Sequence, residues 1–268
     1  MRWVDYMETL FNAPHQITRL RRDTRRRFLS VTCVERITPR MQRIVFQSPD
    51  LGDFESASPD DHIKLFIPAS TPDDRGIDGV CMRDYTPRKF DRATLTLTID
   101  FALHEAGPAT AWALQANRGD TLEIGGPRKS NVVTDDFDWY LLIGDETALP
   151  AIGRRVEELR PGGRVDTVVA VETLAERQTF ATSADWTPRW ITREGQSASD
   201  DALLRLALAD HRPPRGDGYI WIAAEASVSR SLRSLVSETW GHPKAWTKSS
   251  GYWVRGEAGA HEKPEAQG

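Results

Sequence analysis

The spacing of apolar residues changes midway along the chain, and no single sheet or helical bundle accommodates both patterns. Up to about residue 103 the apolar positions alternate. FLSVTCVERI (28–37), MQRIVFQS (41–48), HIKLFIPA (62–69) and TLTLTIDFAL (94–103) each carry the period of two of an antiparallel strand. Turn formers separate them: Thr38-Pro39, then Ser58-Pro59-Asp60-Asp61, then the stretch from Asp73 to Gly79. Short strands with one intervening helix, PATAWALQAN (108–117), predict an antiparallel β-barrel, and Pro108 suits a first helical turn. After residue 138 the pattern becomes strand–helix–strand. WYLLIGDE (139–146), RVDTVVAVET (164–173) and GYIWIAAEA (218–226) read as buried strands. TALPAIGRRVEELR (147–160), DDALLRLALAD (200–210) and SVSRSLRSLVSETW (227–240) read as helices. That alternation predicts a parallel sheet covered on both faces. The expected fold class is therefore β-barrel plus α/β. A basic arm is expected over 1–27, the barrel over 28–136, the parallel-sheet domain over 137–256 and a disordered tail over 257–268.

Composition narrows the chemistry. The 268 residues carry a formal charge of −4, too mild and of the wrong sign for a dedicated nucleic-acid binder. Cys33 and Cys81 are too few and too isolated for a disulfide framework, a zinc site or an iron–sulfur cluster, so redox chemistry here would need an organic cofactor. With no long apolar run, the expectation is a cytoplasmic monomer without stable membrane association. The one dense basic stretch, RLRRDTRRRF (19–28), lacks the aromatics that stack on bases and reads as a solvated arm.

Three stretches look able to hold a nucleotide. GDETALPAI (144–152) and AAEASVSRSL (223–232) place helix starts at the carboxyl ends of strands, where open α/β sheets collect ligands, although neither has the full GxGxxG spacing. HEAGPATAWA (104–113) opens a helix with Gly-Pro and a Thr hydroxyl, which suits a pyrophosphate. Some twenty residues earlier, RDYTPR (83–88) sets a guanidinium, a phenol and a hydroxyl on one short strand. Strand alternation would put Arg83 and Tyr85 on one face and Asp84, Thr86 and Arg88 on the other. A flat ring beside a hydroxyl can cover an isoalloxazine, and an arginine can pair with a phosphate.

Taken together, these motifs resemble the siderophore-interacting protein family, flavin-dependent ferric-siderophore reductases of the ferredoxin–NADP reductase-like superfamily. The resemblance runs from Thr38 to Gly256 through TPRMQRIVF, HIKLFIP, RDYTPR, DFALHEAGPATAWA, GDTLEIGGPR, GDETALPAI, AAEAS and GYWVRG, in that order. It implies FAD on the barrel and NADH or NADPH on the α/β domain. By that resemblance Arg83, Tyr85 and Thr86 form the flavin strand. Asp100 and His104 lie near the ribityl-to-adenine portion, and Gly107, Ala109 and Thr110 form the pyrophosphate-binding helix start. Asp145, Glu146, Thr147 and Glu225 are the nicotinamide-nucleotide contacts. Lys64 and Arg128 hold an anionic ferric siderophore, with Lys248 or Arg255 as a third basic residue. The family pattern is departed from after GGP, where Arg128 and Lys129 are adjacent and their roles are exchangeable. The implied reaction passes electrons from nicotinamide through flavin to Fe(III), and needs no acid–base or nucleophilic residue and no metal ligands. The rival expectations are a general flavin or electron-transfer reductase on the same scaffold and a flavin-containing siderophore binder without nicotinamide turnover. Arg177 and Arg193 are each either a partner for an adenosine 2′-phosphate or a surface charge. GYWVRG (251–256) is expected to close the site rather than build the core of the second domain.

Overall fold

The structure is a computed structural model that describes residues 15–68, 79–104 and 107–257. The alternating half supplies β1 (Ile17–Arg21), β2 (Arg26–Thr38), β3 (Met41–Gln47), β4 (Ile63–Pro68), β5 (Val80–Tyr85), β6 (Lys89–Asp91) and β7 (Thr96–Ala102). It continues with α1 (Pro108–Gln115), β8 (Thr121–Gly125) and β9 (Lys129–Val133). Seven of these strands form one antiparallel sheet in the order β5-β4-β8-β2-β3-β7-β6. The sheet curls until β5 meets β7, with the rings of Tyr85 and Phe101 4.6 Å apart. Its inward residues, among them Leu29, Ile44, Phe46, Leu65, Ile99 and Ile124, are fully buried in one core that α1 enters with Ala109 and Ala113. Burying an aliphatic or aromatic side chain of this size contributes about 1.5–3 kcal/mol, which makes the register costly to slip.

The second half supplies β10 (Trp139–Gly144), α2 (Leu149–Glu158), β11 (Arg164–Val171), β12 (Asp185–Thr192), α3 (Ala202–Ala209), β13 (Gly218–Glu225), α4 (Ala226–Ser234) and β14 (Thr247–Trp253). All five strands are parallel, in the order β12-β11-β10-β13-β14. The chain works outward from β10 in one direction and then from β13 in the other. The crevice between the carboxyl ends of β10 and β13 is thus the point where strand order reverses. Gly144 ends β10 there, and only glycine fits: a Cβ would lie 2.5 Å from Ala148 Cβ and 2.6 Å from the Ala223 carbonyl oxygen. No described helix is long and apolar enough to cross a membrane.

Several expectations need correction. The basic stretch is not a free arm: residues 17–21 pair with β9, and β2 already begins at Arg26. A run of arginines hides the strand period, because its charges are answered by acids elsewhere in the chain. RDYTPR does not continue as a strand to Arg88. β5 stops at Tyr85, because Pro87 has no N–H to donate and biases Thr86, and both Thr86 and Arg88 turn into buried positions. DWTPRWIT (185–192), which is not among the strands expected above, forms β12 at the sheet edge, where Pro188 is tolerated. The last helix leaves α geometry at Ser234 and finishes in a π turn over Leu235–Thr239. GYWVRG is partly sheet: residues 251–253 belong to β14, and Gly251 is buried. The Asp73–Asp78 stretch, residues 1–14 of the arm and residues 258–268 of the tail lie outside the described residues.

Candidate functional site

β5 runs antiparallel to β4 with Ile63 opposite Tyr85, Lys64 opposite Asp84 and Leu65 opposite Arg83. Arg83 and Tyr85 thus share one face. The Tyr85 ring packs on Phe101, and burial raises its hydroxyl pKa, so the phenol stays neutral. Arg83 is half-buried, and among the described residues its guanidinium bonds only the neighbouring Met82 carbonyl, at 3.0 Å, leaving most of its donors for another group. Thr86 is buried, and its side chain lies near the hydroxyl of Tyr252.

α1 begins one turn of chain after β7. Its N-cap is Gly107, at φ +152°, a backbone conformation that side chains rarely adopt, and a Cβ there would meet the His104 ring at 3.2 Å. Among the described residues no side chain caps the helix. Thr110, in its first turn, is 6% exposed, and its hydroxyl has no hydrogen-bond partner among the described residues. A buried hydroxyl left so costs about 1–3 kcal/mol, and uncapped N–H groups beside it form a seat for an anionic oxygen. Gly107, Ala109, Thr110 and His104 therefore fit the pyrophosphate of a dinucleotide. Asp100 does not fit a free ligand contact. It is buried, held by both guanidinium arms of Arg43 at 2.7 Å, and lies 3.7 Å from Arg88 Nε.

At the sheet crevice the acidic residues serve as caps. Asp145 accepts from the Thr147 amide at 2.9 Å and the Thr147 hydroxyl at 2.5 Å, and Glu225 accepts from the Ser227 amide at 2.6 Å. Burial, with Glu146 close by, pushes the Asp145 pKa up. Burial acts the same way on Glu225, but hydrogen bonds from Ser227 and its neighbours outweigh it and lower that pKa. Glu146 is occupied by Arg193, with two contacts of 2.7 Å. Arg193 is thus committed to Glu146 and Glu172, whereas Arg177 remains exposed at the surface.

One short segment after Gly251 joins these parts. Tyr252 meets Thr86 of the barrel, Trp253 Nε1 donates to Asp145 at 2.9 Å, and the Arg255 amide donates to Glu225 at 3.3 Å. The segment is a sheet strand and also a clasp over the crevice, so the two readings of GYWVRG are not exclusive.

The basic residues divide. Lys64 pairs with Asp84 at 2.7 Å and sits opposite Gly125, near the turn that carries the exposed Arg128. Lys248 pairs with the partly buried Asp60, whose pKa is driven well below the usual carboxylate range: burial opposes this, and the Lys248 charge prevails. Arg255 is exposed, and its guanidinium reaches Ser199 at 3.1 Å. Of the two C-terminal cations, only Arg255 is outside a buried ion pair. The sequence reading missed Asp84 and Asp60 as counter-charges. Asp84 was legible, because a cross-strand acid is the ordinary answer to a strand lysine; Asp60 meets Lys248 only through the folded arrangement of the two halves.

Comparisons with known proteins point one way. Residues 137–256 match the model for siderophore-interacting protein, and residues 30–77 and 75–131 match that for the siderophore-interacting FAD-binding domain. The NADPH-dependent ferric-chelate reductase of Escherichia coli K12 is 34% identical over 260 residues, covering 90% of this chain and 98% of that protein. The ferric vibriobactin reductase ViuB of Vibrio cholerae is 23% identical over 247 residues, 85% of this chain and 89% of that one. The crystal structure of a siderophore utilization protein from T. fusca superposes with a TM-score of 0.84 at 35% identity, covering 91% of this chain and 98% of that one.

Proposed function

The chain belongs to the siderophore-interacting protein family, and from that premise we propose that it is an FAD-dependent reductase that takes electrons from NADPH or NADH and reduces Fe(III) held by an anionic siderophore. The observation that carries the cofactor reading is the start of α1, where among the described residues no side chain caps the helix and the buried Thr110 hydroxyl has no partner. Bound FAD supplies the conversion from a two-electron hydride donor to a one-electron acceptor. Residues 28–136 carry that group, and residues 137–256 receive the nicotinamide nucleotide. Arg83 and the α1 N-terminus hold phosphates, while Tyr85 and Thr86 face the ring system. Thr147 and the capped start of α4 border the crevice from the α/β side. Tyr252 and Trp253 cover it, excluding water where two rings must stack. Lys64, Arg128 and Arg255 attract and orient the anionic chelate. Fe(II) binds hard oxygen chelators less tightly than Fe(III), so reduction loosens iron without a protein ligand.

The test is anaerobic. The purified protein is expected to be yellow, to bleach with NADPH or NADH, and to recolour on a ferric siderophore with Fe(II) appearing in a colorimetric trap. Protein that lacks flavin, or whose flavin is not bleached by either nicotinamide, would overturn the reading.

A further inference from the structure

The basic N-terminal stretch has a task in the fold that the reductase reading does not assign. It runs past the turn Gly126–Pro127–Arg128 and takes up that turn's backbone groups one after another. The Gly126 amide donates to the Arg25 carbonyl at 3.3 Å, and the Arg22 amide donates to the Arg128 carbonyl at 2.9 Å. The Gly126 carbonyl accepts from Arg27 Nη1 at 3.3 Å. Just beyond the turn, Arg22 Nη1 donates to the Ser130 hydroxyl at 2.7 Å, and Arg21 lies opposite Lys129 in the β1–β9 pairing.

The stretch is itself anchored. Arg27 is 6% exposed, and it also donates to the Asp50 carbonyl at 3.0 Å and to Asp53 at 2.9 Å. Arg25 meets the other oxygen of Asp53 at 2.7 Å, and Arg22 Nε meets Glu55 at 3.3 Å. At its far end His15 stacks on Phe137 with ring centroids 4.2 Å apart and sits between Asp136 and Asp217. Arg19 and Arg21 are exposed, while Arg22, Arg25 and Arg27 are therefore spent on acids, a hydroxyl and carbonyls of the chain. Their common target is the turn that presents Arg128.

We propose that residues 15–27 form a strap that positions Arg128 for the anionic chelate, with Arg22 as the positioning residue that fixes the turn from the side of Ser130. The inference rests on the assignment of Arg128 to substrate binding. A side chain on a free turn would lose conformational freedom on meeting substrate; the strap removes part of that loss in advance.

A double-mutant cycle tests it, read as the Kd of a tris-catecholate Fe(III) complex from flavin or tryptophan quenching. Arg22→Ala is expected to raise Kd about threefold to tenfold, the equivalent of one ordinary hydrogen bond. Arg22→Lys keeps the charge but not the two-armed contact to Ser130 and Glu55, and is expected to share most of the loss. In an Arg128→Gln background, Arg22→Ala should have no further effect. Bleaching by NADPH and flavin content, which the strap does not touch, should stay at the parent level and show that the variants fold. Full rescue by Arg22→Lys, or additive losses in the cycle, would overturn the strap and leave the reductase reading intact. If Arg128→Gln alone leaves Kd unchanged, the assignment of Arg128 fails, and the strap inference with it.

Discussion

Individual side chains here are set by what they already touch. Lys64 is held at 2.7 Å by Asp84, so its attraction for an anion is tempered before any substrate arrives. Changing Asp84 to Asn should free that charge and tighten binding of an anionic ferric chelate about twofold to fivefold, the scale of a part-exposed ion pair. A neutral chelate should gain nothing, and the gain should shrink with salt; titration of both chelates at two ionic strengths checks this. Gly144 is constrained more severely. A methyl group would press on the Ala223 carbonyl oxygen and on Ala148 at once, and neither is the flexible end of a side chain. Gly144→Ala should cost about 1–3 kcal/mol, visible in the urea midpoint. The sequence marks Gly144 as the end of a strand but not as a close approach, because the neighbour that forbids a Cβ comes from β13, far along the chain.

Elements were legible where one physical signal dominated. Alternation exposed β2, β3, β4 and β7, and unbroken apolar runs exposed β10, β11 and β13. The misreadings fall where two signals compete. In β12, Pro188 masks an edge strand, and in β1, charge masks pairing that the fold neutralises from a distance. The pairing of Asp100 with Arg43 was not legible, because Arg43 lies on β3, far from it along the chain. The strap carries a pH dependence of its own. Burial alone would lower the His15 pKa, but the hydrogen bonds and charges of Asp217 and Asp136 outweigh it and raise the value. A raised pKa in the folded chain means stabilisation that is fully present below the ordinary histidine range and is lost as pH rises through the raised value. His15→Ala should therefore lower Tm more at pH 5.5 than at pH 9, where the ring contacts and one hydrogen bond of a neutral imidazole are lost but no ion pair is. An equal drop at both values would show that protonation does not tighten the strap.

The halves of the molecule meet across a polar boundary. Buried Glu176 of the α/β half accepts from the Thr38 hydroxyl at 2.5 Å and the Arg40 amide at 3.1 Å. Arg154 reaches from α2 to the Ser56 hydroxyl at 2.7 Å and the Pro87 carbonyl at 3.1 Å. Lys248 crosses in its pair with Asp60. Such contacts hold one mutual orientation, because each misfit would strand a buried charge. Hydride transfer requires that rigidity, since two rings held by different halves must stack within a narrow distance. The pair most exposed to test is Arg88 with Glu157, joined by contacts of 2.6 and 2.7 Å shortly after β5. Its partners are not equivalent. The Arg88 side chain is 5% exposed and that of Glu157 28%, so the orphan left by each deletion meets different amounts of water. Glu157→Ala leaves a buried guanidinium with Asp100 3.7 Å away and already claimed by Arg43; it should cost about 2–4 kcal/mol. Arg88→Met leaves a carboxylate that water can reach, and should cost about 1–2 kcal/mol. Both should slow flavin bleaching by NADPH more than they weaken chelate binding if this pair fixes the mutual orientation of the two halves. Denaturant midpoints and stopped-flow bleaching of the two variants check the ordering. Equal stability losses would mean that burial does not govern this pair, and an undiminished bleaching rate would mean that other contacts fix the two halves.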